Sequence, residues 1–238
     1  MSILSFENVS FQYAGNNAPT ILKDVSIGFE SGTFYSIIGP SGSGKTTALS
    51  LAGGLDVPTS GKVLFQDQDI AKIGYTKHRR HNVALVFQNY NLIPYLNALE
   101  NVVVAMEITN TYKGERKEKA LQLLSMVGLT GEDIHRPVTK LSGGQQQRVA
   151  IARSLAGDAP IVLADEPTGN LDENSAAEII QIFQKLAKEM GRCVIVVSHS
   201  TRVAKASDAI ICFKNNTLQP LNNPILPDNP EPVTPAEP

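Results

Sequence analysis

No stretch of this chain approaches the roughly 18 to 20 consecutive apolar residues that a bilayer-crossing helix requires. The most apolar segments are short, Val102-Val103-Val104-Ala105-Met106 and Val194-Ile195-Val196-Val197 among them. The N-terminal MSILSFENVSFQY has neither the basic opening nor the apolar core of a secretory leader, which predicts a chain that stays in the cytosol. Cysteine is scarce. Cys193 and Cys212 each sit in a β-branched apolar run, so they read as packed thiols and not as a disulfide framework. Two cysteines and scattered histidines also fall short of a metal cluster. An excess of charge of one sign is missing too: 21 Lys and Arg face 23 Asp and Glu, a net −2. No overall field therefore draws in nucleic acid or an anionic membrane, nucleic acid is not an expected partner, and any bound anion must be held locally. No internal repeat with a period of roughly 20 to 50 residues is visible.

What is present is an ordinary globular composition, 42% hydrophobic and 18% charged over 238 residues, enough to bury a sizeable core. Continuous apolar runs at Phe34–Ile38, Val83–Phe87, Ile161–Ala164, Cys193–Val197 and Ala209–Phe213 alternate with helical stretches. Uninterrupted strands of this kind predict a parallel sheet covered on both faces. Ser5–Phe11 and Gly61–Phe65, beside a Pro58–Gly61 turn, predict an antiparallel edge. Between Asn97 and Leu129 the spacing of Ala120, Leu121, Leu124 and Val127 predicts helix, within an inserted helical lobe of about residues 89–157. A further helix is expected behind a Ser175–Glu178 capping box, with Ile179, Ile182, Phe183, Leu186 and Met190 as its apolar stripe and Gly191 in the C′ position. The cluster His78-Arg79-Arg80-His81 reads as a solvated face. One domain over 1–219 is then followed by a tail in which 7 of 19 residues, 220–238, are proline, a composition that predicts disorder.

Gly39-Pro40-Ser41-Gly42-Ser43-Gly44-Lys45-Thr46 fits the phosphate-binding loop pattern G-x-x-x-x-G-K-[ST], with a strand before it and a helix opening at Thr47 behind it. Glycines let successive backbone N–H groups turn toward phosphate oxygens, and the helix N-terminus adds to the field. Lys45 supplies a point charge and Thr46 a hydroxyl for Mg²⁺. Ile161-Val162-Leu163-Ala164-Asp165-Glu166 ends an apolar strand in two acids, which is rare because carboxylates at a buried strand end need a partner. Asp165 suits Mg²⁺, and Glu166 suits a general base toward an attacking water. A second anion-binding helix start, Leu141-Ser142-Gly143-Gly144-Gln145, follows far downstream and is hard to explain within one ordinary P-loop fold.

That last string, with the two before it, resembles the ATP-binding cassette (ABC) family over about residues 3–218. The resemblance implies an α/β P-loop NTPase (RecA-like) core with an antiparallel β edge and an inserted α-helical subdomain. It implies an ATPase working with ATP and Mg²⁺, two copies facing head to tail, and each ATP held between one P-loop and the other copy's Ser142, Gly143, Gly144 and Gln145. Gln88 falls at the family's Q-loop, a metal and γ-phosphate contact that also touches the membrane partner. Asp172, in Asn170-Leu171-Asp172, matches the D-loop, His199 the switch histidine, and Tyr13 the aromatic that stacks on adenine. The subfamily most resembled pairs with MacB-like, four-helix membrane subunits and includes lipoprotein-releasing and Vex-type exporters. It is carried by Phe87-Gln88-Asn89-Tyr90-Asn91-Leu92-Ile93-Pro94 and by LSGGQQQRVAIARSL with DEPTGNLD. MacB fuses its membrane part to the ATPase, whereas this sequence stops after the ATPase, so a separate permease at the inner face of the membrane is the expected partner. Amino-acid importer ATPases share some of these strings, and a soluble assembly-type ATPase of the family also stays open. If the proline-rich tail has no packing role, deleting residues 221–238 leaves ATP turnover and the melting temperature nearly unchanged; a drop of several degrees in thermal denaturation would show that it packs.

Overall fold

A computed structural model describes residues 2–15, 18–110 and 112–221. In chain order its elements are β1 (Ser2–Gln12), β2 (Thr20–Glu30), β3 (Phe34–Ile38), α1 (Lys45–Ala52), β4 (Ser60–Phe65) and β5 (Gln68–Asp69). Then come α2 (Ile70–Ile73), α3 (Tyr75–His81), β6 (Val83–Val86), α4 (Ala98–Thr109), α5 (Arg116–Met126), α6 (Gly143–Ser154) and β7 (Ile161–Asp165). The chain closes with α7 (Glu173–Lys188), β8 (Cys193–Val197), α8 (Thr201–Ala206), β9 (Ala209–Lys214) and β10 (Thr217–Pro220).

The five expected runs are β3, β6, β7, β8 and β9, and they form the parallel part of one sheet ordered β10-β9-β3-β8-β7-β6. Each central strand feeds two cores. Val194 and Val196 of β8 face one, packed with Val162 and Ala164 of β7 and with α4, α5, α6 and α7. Cys193, Ile195 and Val197 face the other, packed with Leu163, α1 and the strands β1 and β2. That burial leaves no polar alternation to see, and it pushes the Cys193 thiol up to about 12, so this thiol is inert at neutral pH. The second sheet, β2-β1-β4-β5, is antiparallel and closes over α1.

One strand went unread in the sequence, and several local expectations need correction. β2 carries no clean alternation because its pairing with β1 is irregular, with Asn8 and Asp24 in left-handed conformations, so Leu22, Val25 and Phe29 point inward at uneven spacing. The helix α7 is capped by Asp172, which accepts from the N–H groups of Asn174 and Ser175 and from the Ser175 hydroxyl at 2.6 Å; no box runs from Ser175 to Glu178. Its C-cap is Glu189, so Gly191 lies two residues beyond the cap and Met190, 37% exposed, falls outside the helix and its buried stripe. The basic cluster is divided. Arg80 and His81 face solvent, but His78 is fully buried against the end of α1, with Nε2 3.1 Å from the Ala52 carbonyl oxygen, while Arg79 donates to that of Gly54. Pro220 pairs with Ile211 and the Leu221 N–H donates to Ile210, so the sheet passes one or two residues beyond the expected domain end. The rest of the expected disordered tail lies outside the described residues.

Phe183 joins α7 to the sheet: it is 1% exposed, with its ring centroid 6.3 Å from that of Phe34 on β3. Phe183→Ala is expected to lower stability by about 3–5 kcal/mol, read as a lower urea midpoint at unchanged slope.

Candidate nucleotide site

The carboxyl ends of β3, β6, β7 and β8 open on one side of the sheet, and the loops that follow them surround a cleft of about 590 Å³. After β3 the chain curls through Gly42 (φ 71°) and Gly44 (φ 112°) before α1 begins at Lys45. Gly44 cannot be replaced without cost, because a Cβ there would lie 2.5 Å from Ile21 and 3.0 Å from Phe213. Lys45 is 5% exposed and folds back, its Nζ donating to the carbonyl oxygens of Gly39 at 2.9 Å and Pro40 at 2.7 Å. Burial pulls its pKa down, and the nearby carboxylates of Glu166 and Asp165 oppose that.

Thr46 Oγ1 donates to Asp165 Oδ1 at 3.2 Å, joining two residues 119 positions apart in sequence. Desolvation raises the Asp165 carboxyl, while the Thr46 hydroxyl and Lys45 hold it back. Glu166 follows with φ 45°, a left-handed conformation that costs a non-glycine residue roughly 1–2 kcal/mol. Its own N–H is fixed by the Val197 carbonyl oxygen at 2.9 Å, across to β8. The Glu166 carboxylate points back at the end of β8: Oε1 lies 3.3 Å from His199 Nε2, and Oε2 lies 3.4 Å from the Ser198 hydroxyl and from the His199 N–H. Desolvation raises this carboxyl as well, with the His199 ring, the His199 N–H and Lys45 opposing.

Gln88, just past β6, lines the same cleft, and a Cβ on Gly169 would come within 3.2 Å of its Nε2. Tyr13 stands half-exposed at the rim, its hydroxyl 3.0 Å from Thr47 Oγ1 and its ring edge-on to Phe11. Ser41, Gly42, Ser43 and Thr47 complete the wall, whereas Gly39 and Pro40 do not line it and meet the site through the carbonyl oxygens that take the Lys45 ammonium. The remaining expected residues are elsewhere. Ser142 caps α6, taking the Gln145 N–H at 3.2 Å while the Gln145 side chain takes the Ser142 N–H at 2.9 Å, and neither they nor Gly143, Gly144 and Asp172 line the cleft. Ile21, Gly169, Val197 and Ser198 belong to the site without having been read from the sequence. Ile21 sits on the irregular strand β2, and Gly169 and Ser198 have chemistry only through neighbours.

The residues fit a nucleotide with its metal. Ser43 Oγ is buried with no hydrogen-bond partner among the described residues, inside the very loop that would receive a phosphate. Thr46 and Asp165 place two hard oxygen donors side by side, as Mg²⁺ prefers. Comparison with known proteins decides the rest: the family model for the ABC transporter matches residues 22–169. The chain belongs to the ABC transporter family.

It is 47% identical over 208 residues to the ABC transporter ATP-binding protein YclH of Bacillus subtilis, covering 87% of this chain and 92% of that one. Against the lipoprotein-releasing system ATP-binding protein LolD of Idiomarina loihiensis it is 40% identical, with coverage of 91% and 96%. The dimeric structure of MJ0796, a bacterial ABC transporter cassette, superposes with TM-score 0.81 at 41% identity, covering 91% and 96%. MJ0796 is from Methanocaldococcus jannaschii. A second dimeric structure of that cassette is a post-hydrolysis state bound to ADP and Pi. This chain is an ATP-binding ABC ATPase with the cassette fold, and its relatives fit the exporter subfamily that its motifs resemble. Lys45→Ala in this ABC ATPase is expected to weaken nucleotide binding and cut phosphate release by roughly 100-fold or more. Wild-type turnover in that variant would separate the cleft from the chemistry.

Proposed function

We propose that two copies of this chain close head to tail around two ATP molecules and drive a separate membrane subunit that exports or extracts a peptide, antimicrobial or lipid-linked substrate. The observation that carries the pairing is the split within one chain. Lys45, Thr46, Gln88, Glu166 and His199 surround one cleft, while Ser142–Gln145 open a helix that does not reach it. A helix start with its side-chain cap intact and two glycines in its first turn is an anion site in search of a phosphate. A second copy turned end to end brings that start to the first copy's cleft.

Each residue then has a task that its surroundings suit. Lys45 and the N–H groups of residues 41–47 hold the phosphates, and Tyr13 stacks on adenine from the rim. Thr46, Asp165 and Gln88 would hold Mg²⁺, which supplies charge neutralisation across the phosphate oxygens. Water attacks the γ-phosphorus, the bond from that phosphorus to the bridging oxygen breaks, and ADP leaves. Glu166 takes the proton from the attacking water, and its burial-raised carboxyl suits an acceptor working near neutral pH. His199, 3.3 Å from that carboxylate, orients it and faces the γ-phosphate.

No helix among the described residues is long and apolar enough to cross a membrane. The likeness to a lipoprotein-releasing system protein supports a MacB-like permease as the partner, with this chain on the cytoplasmic side of it. Glu166→Gln keeps the shape of the base but cannot take a proton, so it is expected to accumulate an ATP-bound dimer in light scattering. Adding Ser142→Arg is expected to return it to monomer. A persistent ATP dimer in the double variant would refute completion of the site by the second copy.

A further inference from the structure

Gln145 uses both ends of its side-chain amide. Its Oε1 takes the Ser142 N–H at 2.9 Å, closing the capping box at the start of α6, and its Nε2 donates to Asp133 Oδ2 at 2.7 Å. Asp133 lies in the short helical turn Gly131–Ile134 between α5 and α6, outside every motif read from the sequence. A carboxylate only accepts, so it takes the NH₂ end of the amide and leaves the oxygen end for Ser142. An apolar side chain at position 133 would not tell the two ends apart. The amide could then turn over, setting its NH₂ donor against the Ser142 N–H donor and opening the box.

Asp133 is itself fixed in place. Its other oxygen, Oδ1, takes the Arg136 guanidinium at 3.0 Å, so the carboxylate is paired although it stands beside a helix start suited to an anion. The next residue, Ile134, is buried in the same core as Val149 and Ile151 of α6, and Leu129 is buried just before the turn. The His135 N–H closes the turn on the Glu132 carbonyl oxygen at 3.0 Å. At the helix start the box satisfies the N–H groups of Ser142 and Gln145. Those of Gly143 and Gly144 have no acceptor within the helix and are left for a phosphate. Ser142 Oγ accepts from the Gln145 N–H at 3.2 Å, which keeps its own hydrogen available to donate.

We propose that Asp133 is a positioning residue for the ATP of the second copy: by orienting the Gln145 amide it keeps the capping box closed and the remaining donors of the helix start aimed before the nucleotide arrives. The proposal rests on the two-copy reading above. Donors set in advance need no ordering when the phosphate meets them, so their gain appears as tighter closure of the dimer. Asp133 does not line this chain's own cleft, and its loss leaves that cleft as it is.

The test uses the full chain with Glu166→Gln, measuring by light scattering the ATP concentration that half-saturates dimer formation. Asp133→Leu is expected to raise it roughly 10-fold, the scale of one hydrogen bond to a charged acceptor. Gln145→Glu still accepts from the Ser142 N–H but sets two carboxylates face to face, and is expected to raise it at least as far. Adding Asp133→Asn to Gln145→Glu reverses the bond, with asparagine donating and glutamate accepting. That pair is expected to recover to within roughly 3-fold of the parent. Asp133→Leu with Gln145→Glu carries the same net charge but offers no donor, and is expected not to recover. Equal recovery in the two pairs would reduce the effect to charge alone and overturn the proposal. Failure of the asparagine pair to recover, or an unchanged midpoint in Asp133→Leu, would overturn it as well. A fluorescent ATP analogue bound to the Ser142→Arg monomer reads the chain's own cleft, and its affinity is expected to be unaffected by Asp133→Leu. A matching loss there would mean that Asp133 merely supports the fold, which also overturns the proposal. Should Asp133→Leu unfold, recovery of Gln145→Glu by Asp133→Asn decides alone. Failure of Glu166→Gln by itself to dimerise refutes the two-copy reading and takes this proposal with it, whereas a parent that dimerises no better than its Asp133→Leu variant refutes this proposal only.

Discussion

Burial of both faces of five parallel strands is the constraint on which the rest depends. Because Val194 and Val196 must face one core while Cys193, Ile195 and Val197 face the other, β8 can neither slip nor tilt without exposing apolar surface. The same holds for β7 and β3. Parallel strands all end on the same side, so a register fixed by hydrophobic packing also fixes where the polar residues beyond each strand emerge. Asp165 and Glu166 from β7, Ser198 and His199 from β8, Gln88 from β6 and the loop after β3 meet for that reason. Their convergence is a by-product of core packing.

Within that convergence the charges are arranged so that each is tolerable only because of the others. Lys45 is desolvated, and so are Asp165 and Glu166; each would shift toward its neutral form alone, and the nearby opposite charge restrains the shift. Two carboxylates side by side repel, which adds to the raised carboxyl of Glu166. The outcome is two consecutive carboxylates, each with raised proton affinity, held in different surroundings. Their difference in environment comes from geometry: Asp165 is turned toward Thr46, and Glu166 toward the end of β8.

The sheet core and the phosphate loop were legible in sequence because their signals are contiguous. Phe34–Ile38 followed at once by Gly39–Thr46 states strand, turn and helix in a single window, as does Ile161–Glu166 for a strand ending in acids. What stayed hidden depends on distant or irregular structure. β2 was unreadable because left-handed residues in its pairing with β1 break the two-residue period, and with it went Ile21 at the cleft wall. His78 looked solvated beside three basic neighbours, yet it is buried because α3 happens to lie on the end of α1. Asp172 was visible as a motif residue, but its capping of α7 was not, since the Ser175–Glu178 spacing offered a competing start.

The left-handed backbone at Glu166 carries a consequence for how this molecule can change over generations. A glycine at that position would adopt φ 45° without strain and would not bury a carboxylate, so the folded state gains on both counts when the proposed proton acceptor is lost. Stability and the turnover proposed for this site therefore pull in opposite directions at this one residue. Drift filtered only for folding would favour glycine there, so stability alone does not account for the glutamate, as the role proposed for it requires.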